Sequence, residues 1–458
     1  MKRALILAGA VLAGCSIGTP YQRPPAPLPA QYAVPADGSY TLAADWWQLF
    51  GDPELSRLVD KCLAANTDLA QAVARVEQAE GLLREAGGAL VPTVNLGSNA
   101  NRSRGSRIAR APGATGNDFS LSLSTSFEID LWGKLRQATD AARSQWLASL
   151  AARDTVALTL SATVAQAWFS LRSLDDQIAA TADTLRSREE SVRLIGLRLQ
   201  GGTASRLDLD QAEVQRADAA VLLRDLARQR QLVQSLLGVL TADPALAVAP
   251  APGRLAAVPA LPAAGLPSAL LERRPDIRRA EELLVSAHAQ VAVARASMFP
   301  TLSLSGSFGG ESSELSRLLE SPARFWSLGF GLTAPLFDGG RLAARTDQAG
   351  AREREAVAAY QSAVSTAFKE VADALANLQA AQQTQADLLA KQAAAQRALK
   401  FAQARFTAGY SGSLERLDAE RTATAATLDV VRNRQAQLNA SVDLIKALGG
   451  GWAGLPAR

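Results

Sequence analysis

The chain has 458 residues, with 48 Lys and Arg against 44 Asp and Glu and a net charge of +4; removal of Lys2 and Arg3 with a leader would leave about +2. So even a balance, without a basic cluster, argues against a nucleic-acid binder, and a single histidine with two cysteines argues against a Cys/His metal centre. No window is both long and apolar enough for a transmembrane helix, which needs about 20 residues.

In chain order, MKRALILAGAVLAGC opens with a basic pair, an apolar stretch and small residues, the pattern of an export signal. Leu12-Ala13-Gly14-Cys15 resembles the bacterial lipobox. This implies that 1–14 is a signal peptide and that Cys15 is lipidated; Ser16 resembles the signal for sorting to the outer membrane. The competing reading is a signal peptide with an incidental cysteine. If Cys15 is acylated, Cys62 lacks a disulfide partner and is expected to be a small buried residue. Residues 15–50 hold a proline-rich tether, and 51–91 read as helical.

Residues 119–132, FSLSLSTSFEIDLW, alternate strictly, with Phe119, Leu121, Leu123, Thr125, Phe127, Ile129 and Leu131 against Ser, Glu and Asp. That is a strand with one apolar and one polar face. A first hairpin (92–132) is expected to pair 92–101 with 118–131. The run NRSRGSRIAR (101–110) between them reads as a solvated loop. A second hairpin (299–337) pairs 301–309 with 325–337. Trp132 and Trp326, at or near strand ends, fit interfacial anchors.

Long helices follow each hairpin, at 133–240 and 338–448, with a linker and helix at 241–298 and a tail at 449–458. No proline occurs from Lys134 to Asp243 or from Arg341 to Leu455. Leu150, Ala157, Val164, Leu171, Ile178, Leu185, Val192 and Leu199 recur every seven residues, and Val357, Val364, Val371 and Leu378 begin a similar stripe. Such stripes pack helices side by side as in coiled coils. A helix from Lys134 to Gln200 would be roughly 100 Å long at about 1.5 Å per residue. GGTASR and TAGYSGS then reverse the chain into helices 205–238 and 412–447.

The two halves repeat. At an offset of 207, RLQGGTASRLDLDQAE (198–213) matches RFTAGYSGSLERLDAE (405–420), and upstream VPTVNLGSN (91–99) parallels FPTLSLSGS (299–307). A tandem duplication is the simplest account. Four alternating strands cannot close around a lumen, and open edges are not tolerated in lipid. Bacterial single-chain barrels begin at about eight strands, so several copies must contribute; two, three or four would close. A soluble sandwich is the alternative on alternation alone.

DWWQLFGDPELSRLV (45–59), NTDLAQAVARVEQAE (66–80), LLERRPDIRRAEELLVSAHAQVAVARASMFPTLSLSG (270–306), SLERLDAE (413–420) and KALGGGW (446–452) in this order resemble the lipoprotein branch of the outer-membrane factors, the TolC and OprM group of export channels. The resemblance covers nearly the whole mature chain. It implies an α+β membrane protein: a homotrimer with a twelve-stranded barrel, four strands per chain, in the outer membrane, continuous with a long periplasmic α-helical barrel. It also implies a periplasmic adaptor and an inner-membrane pump as partners, of the resistance-nodulation-division type, and outer-membrane lipid. No cofactor is implied beyond the lipid on Cys15. Carried onto this chain, the branch's constriction falls on Leu414 and Asp418, as an apolar ring and a carboxylate ring; Leu207 and Gln211 are the first-half equivalents. The turns carrying Gly201, Gly202 and Thr203, and Gly409, Tyr410, Ser411 and Gly412, are the expected adaptor contacts.

The function implied is a passive exit duct for small molecules, such as drugs or other toxic compounds, in a tripartite efflux system. Two alternatives stay open: the exit duct of a type I protein-secretion system with an ABC exporter, and a non-conducting structural lipoprotein. An enzyme is not expected. His288 sits on a helical stretch, where a packed or solvated role is expected, and no phosphate-binding loop or nucleophile-base pair stands out.

Overall fold

The computed structural model describes residues 17–25, 42–106, 108, 115–259 and 270–456; Cys15 and Ser16 lie outside the described residues. The chain divides into two compact units, one of Met1–Pro25, Arg75–Leu150 and Arg279–Gln361, the other of Ala26–Ala74, Ala151–Arg278 and Ser362–Arg458. Apart from a single helical turn at Leu270–Arg273, the α-helices are α1 (Pro53–Ala65), α2 (Thr67–Gly88), α3 (Lys134–Gln200), α4 (Arg206–Leu240), α5 (Pro275–Ala296), α6 (Arg341–Thr407) and α7 (Ser413–Ala447). The strands are β1 (Thr93–Arg104), β2 (Thr115–Ile129), β3 (Thr301–Ser312) and β4 (Arg324–Thr333).

The first unit holds one antiparallel sheet in the order β1-β2-β3-β4. Pairing puts Leu96, Leu123, Phe308 and Trp326 in one cross-strand row, so the apolar positions of all four strands share a face. Several strand boundaries differ from expectation: β2 begins earlier, at Thr115, and β3 runs on to Ser312. β1 continues to Arg104, so Arg102 and Arg104 lie on a strand rather than in a loop. β2 ends at Ile129, before Leu131. β4 stops at Thr333, because Pro335 offers no N–H to a ladder; Leu336 and Phe337 lie beyond it, almost fully exposed. Trp132 is held by contacts within the chain. Its indole donates to the Pro300 carbonyl (2.6 Å), and its ring packs 5.1 Å from Phe299. Trp326 is 77% exposed on the apolar face.

An N-terminal strap, residues 17–25, lies against α5. The Arg23 guanidinium donates twice to Glu281 (2.6 and 2.9 Å). His288 bonds the Thr19 carbonyl through Nε2 (2.7 Å) and the Glu353 carboxylate through Nδ1 (2.6 Å). The lone histidine is therefore a structural tie.

In the second unit, Asp52 caps α1 by accepting from the Glu54 and Leu55 amides, with Pro53 in the first turn. The buried face of α1 (Leu55, Leu58, Val59, Cys62) joins Trp46, Val164, Trp168, Phe169, Leu237 and Ile445 in the core. Trp168 donates its indole proton to the other Asp52 oxygen (2.7 Å). Cys62 is fully buried, and desolvation pushes its thiol up to about 11. Arg274 braces the start of α5 by binding Asp276, the Glu370 carboxylate and the Ala447 carbonyl. Gly449, Gly450 and Gly451 all have positive φ.

The seven-residue stripe on α3 is one line of a two-line seam. Past Leu171 its members Ile178, Leu185, Val192 and Leu199 are half-buried. The fully buried line lies three residues on, at Leu174, Thr181, Arg188 and Ile195. On α6 the expected Val364, Val371 and Leu378 are buried, and Tyr360, Ala367 and Ala374 form the companion line. This is the a/d pattern of a coiled coil. No helix among the described residues is long and apolar enough to cross a membrane.

Candidate functional site

The two hairpin turns are built by the same backbone device. In the first, Gly202 has a φ of 73° and the Thr203 amide closes on the Arg198 carbonyl (2.8 Å). In the second, Gly409 has a φ of 78° and the Tyr410 amide closes on the Arg405 carbonyl (2.9 Å). A glycine just past the last helical turn satisfies orphan carbonyls at no steric cost, so the 207-residue repeat survives as geometry. Gly201, Gly202 and Thr203 are exposed, as are Gly409 and Tyr410. Gly412 is exposed too, and Ser411 is half-buried.

The helices that leave the turns start differently. Ser205 caps α4 in a reciprocal capping box with Asp208. The matching residue before α7 is Gly412, which has no side chain to cap with. Instead Ser413, in the first turn of α7, donates its hydroxyl to the free oxygen of Asp208 (2.6 Å). One carboxylate thus serves both turns. The Ser205 donors, foremost its hydroxyl, and then Ser413 hold the Asp208 carboxyl below the usual range.

Leu414 is 64% exposed and Leu207, its first-half equivalent, 66%. Both present an apolar side chain to solvent one turn from the glycines. Asp418, on the same helix, accepts from Arg421 one turn on (2.8 Å), and both side chains are exposed. Leu414 and Asp418 therefore share an exposed stretch of α7. Neither is used in packing the chain.

Behind them lies a polar layer that sequence reasoning missed. Ser413, Arg416 and Glu420 on α7 and Arg188 and Ser191 on α3 are buried. The Arg416 guanidinium lies over the Phe406 ring (5.0 Å), and Arg198 stacks on the same ring (4.4 Å). Arg188 donates to the Gln215 carbonyl of α4 (2.5 Å). Burial lowers the pKa of Arg416 and of Arg188; Glu420 works against it in both cases. Arg405 and Glu415 close the second turn with an ion pair (3.1 Å). A polar residue on a seven-residue line was the available signal, and an apolar-only search passed over it. Among the described residues, no cluster of His, Cys, Asp or Glu could hold a metal ion.

Comparison with known proteins places this geometry. The profile of the outer membrane efflux protein family matches residues 58–241 and again 266–450, one match per half. The chain is 37% identical to outer membrane protein OprJ of Pseudomonas aeruginosa, covering 98% of this chain and 95% of that protein. It is 35% identical to the toluene efflux pump outer membrane protein TtgF of Pseudomonas putida, over 98% and 96%. The solved outer-membrane channel OprN superposes with a TM-score of 0.89 at 29% identity, over 96% of this chain and 100% of that one. The chain belongs to the outer membrane efflux protein family and is an outer-membrane component of an efflux system.

Proposed function

We propose that three copies of this chain form a passive exit duct for small molecules across the outer membrane. The observation that carries this is the sheet. Its faces are segregated into apolar and polar sides, and the outer edges of β1 and β4 are unpaired among the described residues. Both open edges need partners in lipid, and pairing β4 of each copy with β1 of the next gives twelve strands and a closed wall. The polar face lines the water-filled interior, and the apolar face meets lipid. A lipid on Cys15 adds a second hold on the same membrane.

In this reading α3 with α4 and α6 with α7 build the walls of a tube, and the turns at 200–206 and 407–413 are its far end. Three copies of Leu414 narrow the opening as an apolar ring, and three of Asp418 make a carboxylate ring that favours cations. A periplasmic adaptor docks on Gly201, Gly202, Thr203, Gly409, Tyr410, Ser411 and Gly412. Energy comes from an inner-membrane pump of the resistance-nodulation-division type. The name of TtgF, a toluene efflux pump protein, supports a small-molecule cargo.

The test is electrical and genetic. The purified lipidated protein should cross-link as a trimer and give cation-selective steps in planar bilayers. A deletion strain should become more susceptible to antibiotics, dyes or detergents. A folded monomer without affinity for bilayers would overturn the reading.

A further inference from the structure

The apolar face of the sheet carries a groove that barrel closure leaves open, because closure uses edges and not faces. Its floor is Leu96, Leu121, Leu123 and Phe308, and its wall is Leu318 and Leu319 from the β3–β4 connection. Arg324, the first residue of β4, stands at its mouth. The groove measures about 440 Å³, within the range of ligand pockets. Its shape depends on Gly310. A Cβ there would stand 2.3 Å from the Leu318 carbonyl, so only glycine lets the connection lie on the sheet.

The charges of the strands are sorted by face. Pairing places Arg102 opposite Asn117, Arg104 opposite Thr115 and Arg324 opposite Gly310, all on the apolar side. Asp118, Glu128 and Glu311 fall on the polar side. Every charged residue of the four strands obeys this division. The three arginines lie toward the hairpin-loop end, away from the helices, and none has an ion-pair partner among the described residues; Arg317, on the connection, is paired with Glu320. Arginine on a lipid-facing surface costs about 2–4 kcal/mol at the midplane and close to nothing at the rim. A rim of unpaired guanidiniums over an acyl-sized groove matches a lipid that carries phosphate directly on an acylated headgroup.

We infer that the groove beside Arg324 holds an acyl chain of a phosphorylated glycolipid of the lipid A type in the outer leaflet, with Arg324 on its phosphate and Arg102 and Arg104 engaging the same headgroup layer. This rests on the sheet being barrel wall with its loop end outward. Guanidinium and phosphate form charge-assisted, often bidentate bonds, and the groove sets the depth of the chain.

Native mass spectrometry of the full-length lipidated protein in detergent tests it, with Kdo2-lipid A, phosphatidylglycerol and phosphatidylethanolamine added separately. Retention of Kdo2-lipid A should exceed that of phosphatidylglycerol, and Arg324→Glu should lower it roughly tenfold, as expected for loss of one charged hydrogen bond. Arg102→Glu with Arg104→Glu should lower it further. Equal retention by wild type and Arg324→Glu, or equal retention of all three lipids, overturns the inference and leaves only a generic annulus. Conductance in phosphatidylethanolamine bilayers keeps the two readings apart. Wild-type steps in Arg324→Glu show an intact channel, whereas a silent wild type counts against the duct and not against the lipid site. Should Arg324→Glu fail to assemble, Arg324→Gln takes its place, with the same reduction expected.

Discussion

Ser413 donates its hydroxyl to Asp208 across 2.6 Å, joining the first turn of α7 to the first turn of α4 although 205 residues separate them. The bond exists because the repeat is imperfect: Ser205 caps its own helix, Gly412 cannot, and the carboxylate of the first half serves the second.

Removing that tie should loosen the turns. Ser413→Ala leaves Asp208 with its own cap, whereas Asp208→Ala removes both, so conductance in planar bilayers should rise in the order wild type, Ser413→Ala, Asp208→Ala. The Asp208 carboxyl is depressed by its Ser205 and Ser413 donors. Its contribution is therefore present above the ordinary aspartate value of about 3.9 and lost as pH falls through the lower folded value. Wild-type conductance set by this tie should stay flat from about pH 5 to pH 8. A wild-type rise between those values, absent in Asp208→Ala, would contradict the assignment.

Leu414 and Asp418 take no part in packing, so their replacement separates gating from folding. Leu414→Ala with Asp418→Ala should raise conductance and lower cation selectivity while thermal stability stays within about 0.5 kcal/mol of wild type, the usual range for surface changes. Equal single-channel conductance in the trimers of both proteins would refute a constriction at these residues.

Much of this was legible in the sequence because it was written in apolar periodicity. Alternation gave the strands, and the offset of 207 gave two turns that share their glycine geometry. What the sequence hid was polar. The buried line of α3 contains Thr181 and Arg188, so apolar periodicity marks only its companion line, which is half-buried past Leu171. Arg102 and Arg104 sat in a run rich in Gly, Ser and Asn, and that composition masked an alternation that continues through them. The Asp208–Ser413 bond joins residues whose proximity only the tertiary fold sets.

The triple glycine after α7 is a steric requirement. At Gly449 φ is 96°, and a Cβ would stand 2.0 Å from the Arg273 carbonyl; at Gly454 φ is 95° and nothing lies within 4 Å. The pair separates backbone strain from collision. Gly454→Ala should cost only the strain, about 1 kcal/mol, and Gly449→Ala about 2–5 kcal/mol, read as denaturation midpoints. Equal losses would mean that the end of α7 shifts freely past Arg273.

The strap at the N-terminus makes the only histidine a reporter of its own charge. Glu353 lies 2.6 Å from Nδ1 and the Thr19 carbonyl 2.7 Å from Nε2. Both are acceptors, so the imidazolium, with a proton on each ring nitrogen, is the form that satisfies both bonds. Burial lowers its pKa and Arg295 opposes the charge, but the Thr19 carbonyl and the Glu353 carboxylate outweigh them and the net shift is upward; Tyr21 meets the ring edge-on. A raised folded value means that the stabilisation is complete below about pH 6.5 and fades as pH rises through the folded value. With one histidine in the chain, its imidazole resonance titrates without overlap. The midpoint should lie above the ordinary histidine value of about 6.5 in wild type and fall in Glu353→Gln. Thermal stability should decline through that midpoint in wild type and stay level in His288→Gln. A midpoint below the ordinary value would show that burial prevails and that His288 holds the strap through one bond only.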